Sequence, residues 1–188
     1  MPDFTVDRRS FSPVRPSAGY ILAYGSNLDL DRMKSRCPGC TLIGTTVIPG
    51  YRLLFKQSMT GAYATIEQDA NWSVPAVVYK VGWQDEMRLD RFEGCPRYYY
   101  KMEFILRVKR LNGKMMRSKQ VCTAYVMHEL RRLGRPDEAY FQLIDEGYAR
   151  YGFDTGVLDA GLSASIGSEK ADAYIEAYMK MRERDQRG

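Results

Sequence analysis

The amino-acid sequence predicts a single α+β domain of about seven mostly meandering strands, with helices inserted between them and appended after them. Two patterns predict this class. Aliphatic, aromatic and β-branched runs bounded by glycine or proline recur through the first two thirds of the chain, which is typical of strands. Apolar residues at helical spacing then dominate the last third. A length of 188 residues allows one well-buried core and does not require a second domain.

The first predicted strand is a nearly continuous apolar run from Gly19 to Tyr24. Such a run is typical of a strand that is buried on both faces. Asn27 or Asp29 can cap the helix predicted from about Leu30 to Arg36, because a short polar side chain accepts a hydrogen bond from the free amides of a first turn. The Cys-Pro-Gly sequence that follows ends this helix.

Four strands are predicted in the next stretch by their aliphatic, aromatic and β-branched content. They run from Thr41 to Ile48, from Tyr51 to Gln57, from Tyr63 to Ile66 and from Val74 to Val81. Pro49-Gly50 predicts a turn between the first two. A helix is then expected from Trp83 to Phe92, since acidic residues occupy its first turn, where the helix macrodipole favours them.

The clearest strand pattern follows. From Tyr98 to Val108, apolar residues alternate with charged ones, which predicts one apolar face and one mostly solvated face. Asn112-Gly113 predicts a tight hairpin with two residues at positive φ. The returning strand is expected from about Lys119 to Met127.

The tail of the chain is predicted to be helical. One helix face runs from Tyr140 to Tyr151 after Pro136 at an N-terminal position, and a second helix is appended over residues 168–186, with Ser168 as its cap. At the other end, residues 1–18 are rich in proline and serine and predict a flexible leader.

Composition restricts the partners. The net charge of +5 and the pI of about 9.0 would suit an anionic partner, but no block of five or more like charges appears, so a solvated surface is favoured over nucleic-acid binding. No apolar run is long enough to cross a bilayer, and the leader lacks the apolar middle of a secretory signal. We therefore expect a cytoplasmic protein, as a monomer or homodimer, with no membrane partner.

Neither a metal nor a cofactor is expected. Cys37 and Cys40 form a C-x-x-C, but Cys95, Cys122 and the single His128 do not complete a zinc pattern. A redox C-x-x-C opens a helix after a strand, whereas this one follows a helix and precedes a strand. The sequence also holds no phosphate-cradling P-loop and no dinucleotide fingerprint.

Two features remain as candidates for chemistry. Gly25, Ser26 and Asn27 end a strand at a helix start, where several backbone N–H groups can face a carboxylate or an oxyanion together; the same residues are also common in plain turns. Glu93 ends a helix next to Phe92 and three tyrosines, where partial desolvation would raise its pKa toward a value suited to acid–base work. The alternative for Glu93 is a surface glutamate in a turn.

The order of several short motifs resembles the γ-glutamylcyclotransferase family and its AIG2-like relatives, over residues of about 20 to 160. The specific pair is Tyr-Gly-Ser-Asn-Leu at residues 24–28 followed at a distance by Leu-Asp-x-x-Glu-Gly at residues 89–94. Further matching segments are Gly-Ala-Tyr-Ala-Thr-Ile at 61–66, Val-Val-Tyr-Lys at 77–80, Ala-Tyr-Val-Met at 124–127, Pro-Asp-Glu-Ala-Tyr at 136–140 and Ile-Asp-Glu-Gly at 144–147.

This resemblance implies a small mixed β-barrel flanked by helices and an enzyme that converts a γ-glutamyl amine or amino acid to 5-oxoproline without a cofactor. It implies that Glu93 is the acid–base residue. It also implies a substrate-binding set made of the loop and two tyrosines: Tyr24, Gly25, Ser26, Asn27, Leu28, Tyr100 and Tyr140. A non-catalytic binding or regulatory module on the same fold is the main alternative. A hydrolase that releases glutamate is another.

Overall fold

The computed structural model describes residues 19–185, so the predicted leader and residue 186 lie outside the described residues. Its six strands are β1 (Gly19–Ala23), β2 (Thr41–Gln57), β3 (Ala62–Val81), β4 (Tyr99–Leu106), β5 (Lys109–Arg110) and β6 (Gln120–Met127). Its five helices are α1 (Leu30–Arg36), α2 (Trp83–Glu93), α3 (Glu138–Tyr151), α4 (Thr155–Ile166) and α5 (Ser168–Asp185). The predicted α+β class is confirmed.

The strands form one sheet in the order β4-β6-β1-β3-β2-β5. β1 lies inside it, antiparallel to β3 and parallel to β6. Ile21, Leu22 and Ala23 are at most 3% exposed, which confirms that this strand is buried on both faces. The loop that follows β1 is therefore held at the end of a strand in the interior of the sheet.

β2 and β3 are each longer than the sequence predicts. The expected turn at Pro49-Gly50 is wrong: Gly50, at a φ of 76°, lies in a register shift within one continuous strand, as at a β-bulge. β3 likewise joins two predicted strands through a polar segment, where Glu67 and Gln68 pair with residues of β2. Ladder partners at Glu67, Gln68 and Ser73, rather than local hydrophobicity, carry the strand through this polar segment.

The sheet curls but does not close. β4 and β5 are separated by only Arg107 and Val108, yet they lie at opposite edges of the sheet, so these edges approach each other. Across the concave side, the ring of Tyr51 on β2 meets Phe104 on β4 edge to face, with 5.2 Å between the centroids. The barrel implied by the resemblance is thus an open, curled sheet.

The predicted hairpin at Asn112-Gly113 is only partly correct. Gly113 alone has a positive φ, of 80°, and its amide donates to Arg110 O at 2.9 Å. The loop therefore holds three residues instead of two. The return of the chain is confirmed, since β6 pairs antiparallel with β4 along its whole length.

The helix ends follow side-chain chemistry. Asp29, and not Asn27, caps α1, because its Oδ1 accepts from Arg32 N at 2.8 Å. Ser168 is the first residue of α5 rather than its cap, and Gly167 O accepts the amide of Ala171 at 3.0 Å. No helix within residues 19–185 is long and apolar enough to cross a membrane.

Helix α4 was not predicted, because its glycines lower helix propensity. Those small residues let it lie directly on β2: a Cβ at Gly161 would be 2.8 Å from Leu53 O. Ser165 Oγ accepts from Phe55 N at 2.8 Å. Packing on the sheet, which local propensity does not report, stabilises this helix.

Candidate active site

The site begins at the loop after β1. Tyr24 is buried, and a 3-10 turn from Ser26 to Leu28 leads into α1. Leu28 N donates to Gly25 O at 2.9 Å, while the first amides of such a turn have no partner within it. Leu28 is fully buried, and a Cβ at Gly147 of α3 would be 2.6 Å from its Cβ. Leu28, predicted to bind substrate, therefore anchors the loop to α3.

Glu93 is the last residue of α2, which ends at Gly94 in the left-handed conformation. Asn27 Nδ2 donates to Glu93 Oε1 at 3.0 Å. The side-chain oxygen Oδ1 of Asn27 in turn accepts from Arg36 Nη1, which lies 3.4 Å from Ser26 Oγ. The loop, α1 and α2 are thus joined through one chain of hydrogen bonds that ends on the candidate catalytic carboxylate.

The groups joined by these hydrogen bonds set the acidity of Glu93. Burial raises the pKa of Glu93 above its usual range, whereas the Arg36 charge and the Asn27 hydrogen bond lower it. Burial lowers the pKa of Arg36, and Glu93 raises it. The guanidinium of Arg36 also stacks on Phe92, 3.6 Å from the ring centroid. The result is a carboxylate that ionises less readily than a surface glutamate but keeps a cation nearby.

Tyr140 of α3 joins the loop to β3. Its Oη accepts from Ala64 N at 3.1 Å, and burial, the largest cause, raises its pKa to about 12, so its hydroxyl keeps its proton at neutral pH. Gly25 lies against this hydroxyl: a Cβ there would be 3.3 Å from Tyr140 Oη and 3.1 Å from Ala64 Cβ. A side chain at this position would push these two neighbours away by a few tenths of an ångström, so the close approach favours glycine.

Tyr99, rather than the predicted Tyr100, faces the loop. Tyr99 Oη lies 3.5 Å from Ala64 O, whereas Tyr100 Oη donates to Glu129 Oε1 at 2.6 Å. Neighbouring residues of a strand point to opposite faces, so the two tyrosines cannot share a site. Tyr99 lies on the face that the sequence predicts to be mostly solvated, but α2 covers that face, where Lys101 pairs with Glu86 at 2.7 Å.

Two adjoining cavities meet at this site. An inner cavity of about 40 Å³ is lined by Leu22, Ala23, Tyr24, Gly25, Ser26, Asn27, Ala64, Glu93, Tyr99, Tyr125 and Tyr140. An outer cavity of about 300 Å³ is lined by Ser26, Arg32, Arg36, Ser58, Thr60, Tyr63, Phe92, Glu93, Tyr98, Tyr99 and Tyr140. Ser26, Glu93, Tyr99 and Tyr140 line both, so their side chains define the junction.

Several lining residues were not predicted from the sequence. Tyr125 lines the inner cavity and donates to Asp90 Oδ1 at 2.5 Å, while its carbonyl accepts from the Tyr24 hydroxyl. Arg32 and Arg36 line the outer cavity. Their spacing of four residues, directly after the loop, is a signal in the sequence, because it places both on one face of α1.

None of the four cysteines is among the residues described as lining the two cavities. All four are free thiols, and Cys37, Cys40 and Cys122 are buried. Burial, with the Asp85 charge, raises the pKa of Cys37 to about 12, which keeps it protonated and poorly nucleophilic. Within the part of the chain that the structure describes, no three His, Cys, Asp or Glu side chains are arranged to hold a metal ion.

Comparison with known proteins decides the family. The sequence model of the family described as γ-glutamyl cyclotransferase, AIG2-like, matches residues 21–147. The chain belongs to this family. The matched residues include the loop and the four residues that line both cavities, Ser26, Glu93, Tyr99 and Tyr140.

Solved structures agree with this assignment. An uncharacterised protein from Homo sapiens is 27% identical, with a TM-score of 0.61 over 73% of this chain and 82% of that chain. A γ-glutamyl cyclotransferase is 24% identical, with a TM-score of 0.65 over 86% and 99%. A γ-glutamyl cyclotransferase specific to glutathione, from yeast, is 13% identical, with a TM-score of 0.55 over 82% and 99%; these last two show the fold alone. No curated protein matches this sequence.

Proposed function

We propose that this protein is a γ-glutamylcyclotransferase that converts a γ-glutamyl amine or amino acid to 5-oxoproline and a free amine, with Glu93 as base and then acid. One observation carries the proposal. A half-buried carboxyl of raised pKa, held by Asn27, lies at the junction of two cavities beside the loop of the family signature. Family membership supports an enzyme of this kind.

The substrate supplies most of the reacting groups. Its α-amine is the nucleophile and its γ-carbonyl is the electrophile, so folding the γ-glutamyl group back on itself brings them together in a lactam. Orientation of this kind can supply a large part of the rate, because the reaction is intramolecular. A cavity that holds the folded γ-glutamyl group is therefore the main requirement.

The protons then need one carrier. At neutral pH the α-amine is an ammonium, and Glu93 takes a proton from it before the nitrogen attacks the γ-carbonyl. When the tetrahedral intermediate collapses, the C–N bond to the leaving nitrogen breaks and Glu93 returns that proton to it. The ring nitrogen still carries a second proton, which the ionised Glu93 accepts and passes to the released amine, so the lactam is neutral and the amine leaves as an ammonium. Glu93 ends the cycle ionised, as it began, and a carboxyl of raised pKa suits these transfers.

The junction also offers donors for the negative charges of the substrate and the intermediate. The inner cavity is lined by Ser26 and Asn27, at the start of the turn, and by Tyr140, whose hydroxyl keeps its proton. Because the Ser26 amide lies against the Tyr140 oxygen, the candidate donors are the Asn27 amide and the Tyr140 hydroxyl. Donors fixed before the reaction stabilise an oxyanion without having to reorganise. In our proposal they bind the α-carboxylate of the substrate or the developing oxyanion.

The test is a 5-oxoproline release assay with a panel of γ-glutamyl amines and amino acids. Glu93→Gln keeps the shape and the acceptor for Asn27 but cannot carry the proton, so we expect kcat to fall by roughly two to four orders of magnitude. Glu103→Gln, an exposed glutamate on β4, is the matched control and should retain the wild-type rate.

Three results would contradict the proposal. Full activity of a normally folded Glu93→Gln variant would remove the mechanism. Release of glutamate in place of 5-oxoproline would indicate a hydrolase, and binding without any turnover would favour a non-catalytic module.

A further inference from the structure

Asp90 has no role in the reaction described above, although it belongs to the motif Leu-Asp-x-x-Glu-Gly at residues 89–94. Leu89 of this motif is fully buried in the core, and Gly94 ends α2 in the left-handed conformation. Asp90 and Glu93 are three residues apart, so they lie on the same side of the helix, one turn from each other. The contacts of Asp90 therefore bear directly on where Glu93 lies.

The Asp90 carboxylate joins α2 to two strands. Its Oδ1 accepts from the Tyr125 hydroxyl of β6 at 2.5 Å and lies 2.7 Å from Lys101 Nζ of β4. Tyr125 and Lys101 are partners in the antiparallel ladder of these strands, so their side chains are neighbours on the face that α2 covers. One carboxylate thus holds the helix against both strands, one turn before the proposed base.

The two contacts of Asp90 are unequal. Lys101 is 28% exposed and also pairs with Glu86 at 2.7 Å, so its ammonium would keep a partner if Asp90 were lost. Tyr125 is only 5% exposed, and a hydroxyl that donates to a carboxylate makes one of the stronger hydrogen bonds. Removing Asp90 would leave this hydroxyl as a buried donor, which costs more than the bond itself contributes. The bond to Tyr125 is therefore the contact that fixes the helix.

Tyr125 also connects this contact to the cavity and the loop. It lines the inner cavity together with Glu93, and its carbonyl oxygen accepts from the hydroxyl of Tyr24 at the start of the loop. Asn27, at the other end of the same loop, binds Glu93 directly. The last turn of α2 is thus held to the loop twice, through Tyr125 on one side and through Asn27 on the other.

We propose that Asp90 is a positioning residue for the proposed base: its hydrogen bond to Tyr125 fixes the last turn of α2, so that the Glu93 carboxyl stays within reach of Asn27 at the junction. The inference rests on the proposed function. Asp90 is not among the residues described as lining either cavity, so it acts through Glu93. Because a base must lie within hydrogen-bond reach of the proton that it takes, its displacement lowers kcat more than it changes KM.

The first experiment measures kcat and KM separately in the 5-oxoproline assay, on variants that unfold cooperatively. Asp90→Ala should lower kcat roughly tenfold or more, with KM close to the wild-type value. Asp90→Asn keeps an oxygen that accepts from Tyr125 and should retain more of kcat than Asp90→Ala. Glu86→Gln is the matched control, because it removes the other carboxylate that pairs with Lys101 and leaves the bond to Tyr125 intact. Its kcat should equal that of the wild type.

A double-mutant cycle then isolates the bond. Tyr125→Phe removes only the hydroxyl that Asp90 binds. If Asp90 acts through this hydroxyl, the combined variant should lose no more of kcat than the more affected single variant does. Losses that multiply would show that the two residues act independently, and would overturn the inference.

A crystal structure of Asp90→Ala tests the position of the base without turnover. The distance from Asn27 Nδ2 to Glu93 Oε1 should lengthen from 3.0 Å to beyond about 3.5 Å, where a hydrogen bond is lost. An unchanged distance, or a wild-type kcat in folded Asp90→Ala, would overturn the inference while the cyclotransferase function stands. If Asp90→Ala does not fold, the same distance and kcat in Tyr125→Phe decide. No turnover of any γ-glutamyl compound by the wild-type protein would instead overturn the function.

Discussion

Glu93 depends on two side chains for its state of ionisation. Asn27 holds one of its oxygens, and Arg36 fixes the Asn27 amide by donating to its oxygen, so that the nitrogen faces Glu93. Arg36 is itself held flat on Phe92. These contacts are short in space, but the residues that make them are far apart along the sequence: they come from α1, α2 and the loop between β1 and α1. The proposed acid–base group is therefore positioned by side chains of the loop and of α1, outside its own helix α2.

Arg36 offers a prediction at this scale. Because its charge lowers the pKa of Glu93, Arg36→Gln should raise that pKa further. The base must be ionised in the free enzyme, so the acid limb of the kcat/KM profile should move to higher pH. Arg36→Lys keeps the charge and should leave the limb closer to that of the wild type. An acid limb at the same pH in Arg36→Gln would show that another group, and not Glu93, titrates there.

At the scale of elements, β4 decides which tyrosine faces the site. Three tyrosines follow one another, and only the register of the strand selects Tyr99 for the cavity and Tyr100 for the opposite face. The sequence correctly predicts the alternating pattern of β4. What it does not show is that α2 covers the polar face, through Lys101 and its partners Glu86 and Asp90.

This alternation gives a prediction with an internal control. Tyr99→Phe removes a hydroxyl at the junction, and we expect kcat/KM to fall by roughly 2- to 10-fold, as for the loss of one neutral hydrogen bond. Tyr100→Phe, on the other face, should change kcat/KM by less than Tyr99→Phe does. The 5-oxoproline assay measures both, and a larger effect at Tyr100 would contradict the register that we assign to the site.

At the scale of the whole molecule, the helices after β6 pack on one another and support α3, which carries the site residue Tyr140. Phe141 follows Tyr140 on α3 and meets Tyr174 and Tyr178 of α5 edge to face, with ring centroids 5.2 Å apart in each pair. Tyr174 and Tyr178 are both buried. Neither lines a cavity at the junction, so α5 contributes to stability rather than to substrate contact.

Tyr174→Ala tests this division. Removing a buried aromatic ring should lower the free energy of unfolding by about 3 kcal/mol, measured in urea. At temperatures well below unfolding, kcat/KM should remain close to the wild-type value. Tyr174→Phe is the matched control, because it removes only a hydroxyl that has no hydrogen-bond partner among the described residues, and it should be nearly neutral. A loss of activity in a folded Tyr174→Ala protein would show that α5 couples to the site.

The sequence by itself determined most of the local structure and two parts of the site. The apolar run of β1, the alternation of β4, the acidic start of α2 and the apolar faces of α3 and α5 each carry a periodic or capping signal within a few residues. The loop at residues 24–28 and Glu93 are also visible, because small polar residues at a strand end and a carboxylate at a helix end are local features.

Tertiary structure decided the rest, because it depends on partners far along the chain. Pairing joined two predicted strands into β2 and two into β3, close packing on β2 stabilised the glycine-containing helix α4, and curling of the sheet brought β4 toward β2. The same long-range contacts buried Leu28 under α3 and turned Tyr99 toward the loop. They also brought Arg32 and Arg36 into one cavity with Tyr63 and Tyr98, and local propensity contains no term for such an arrangement.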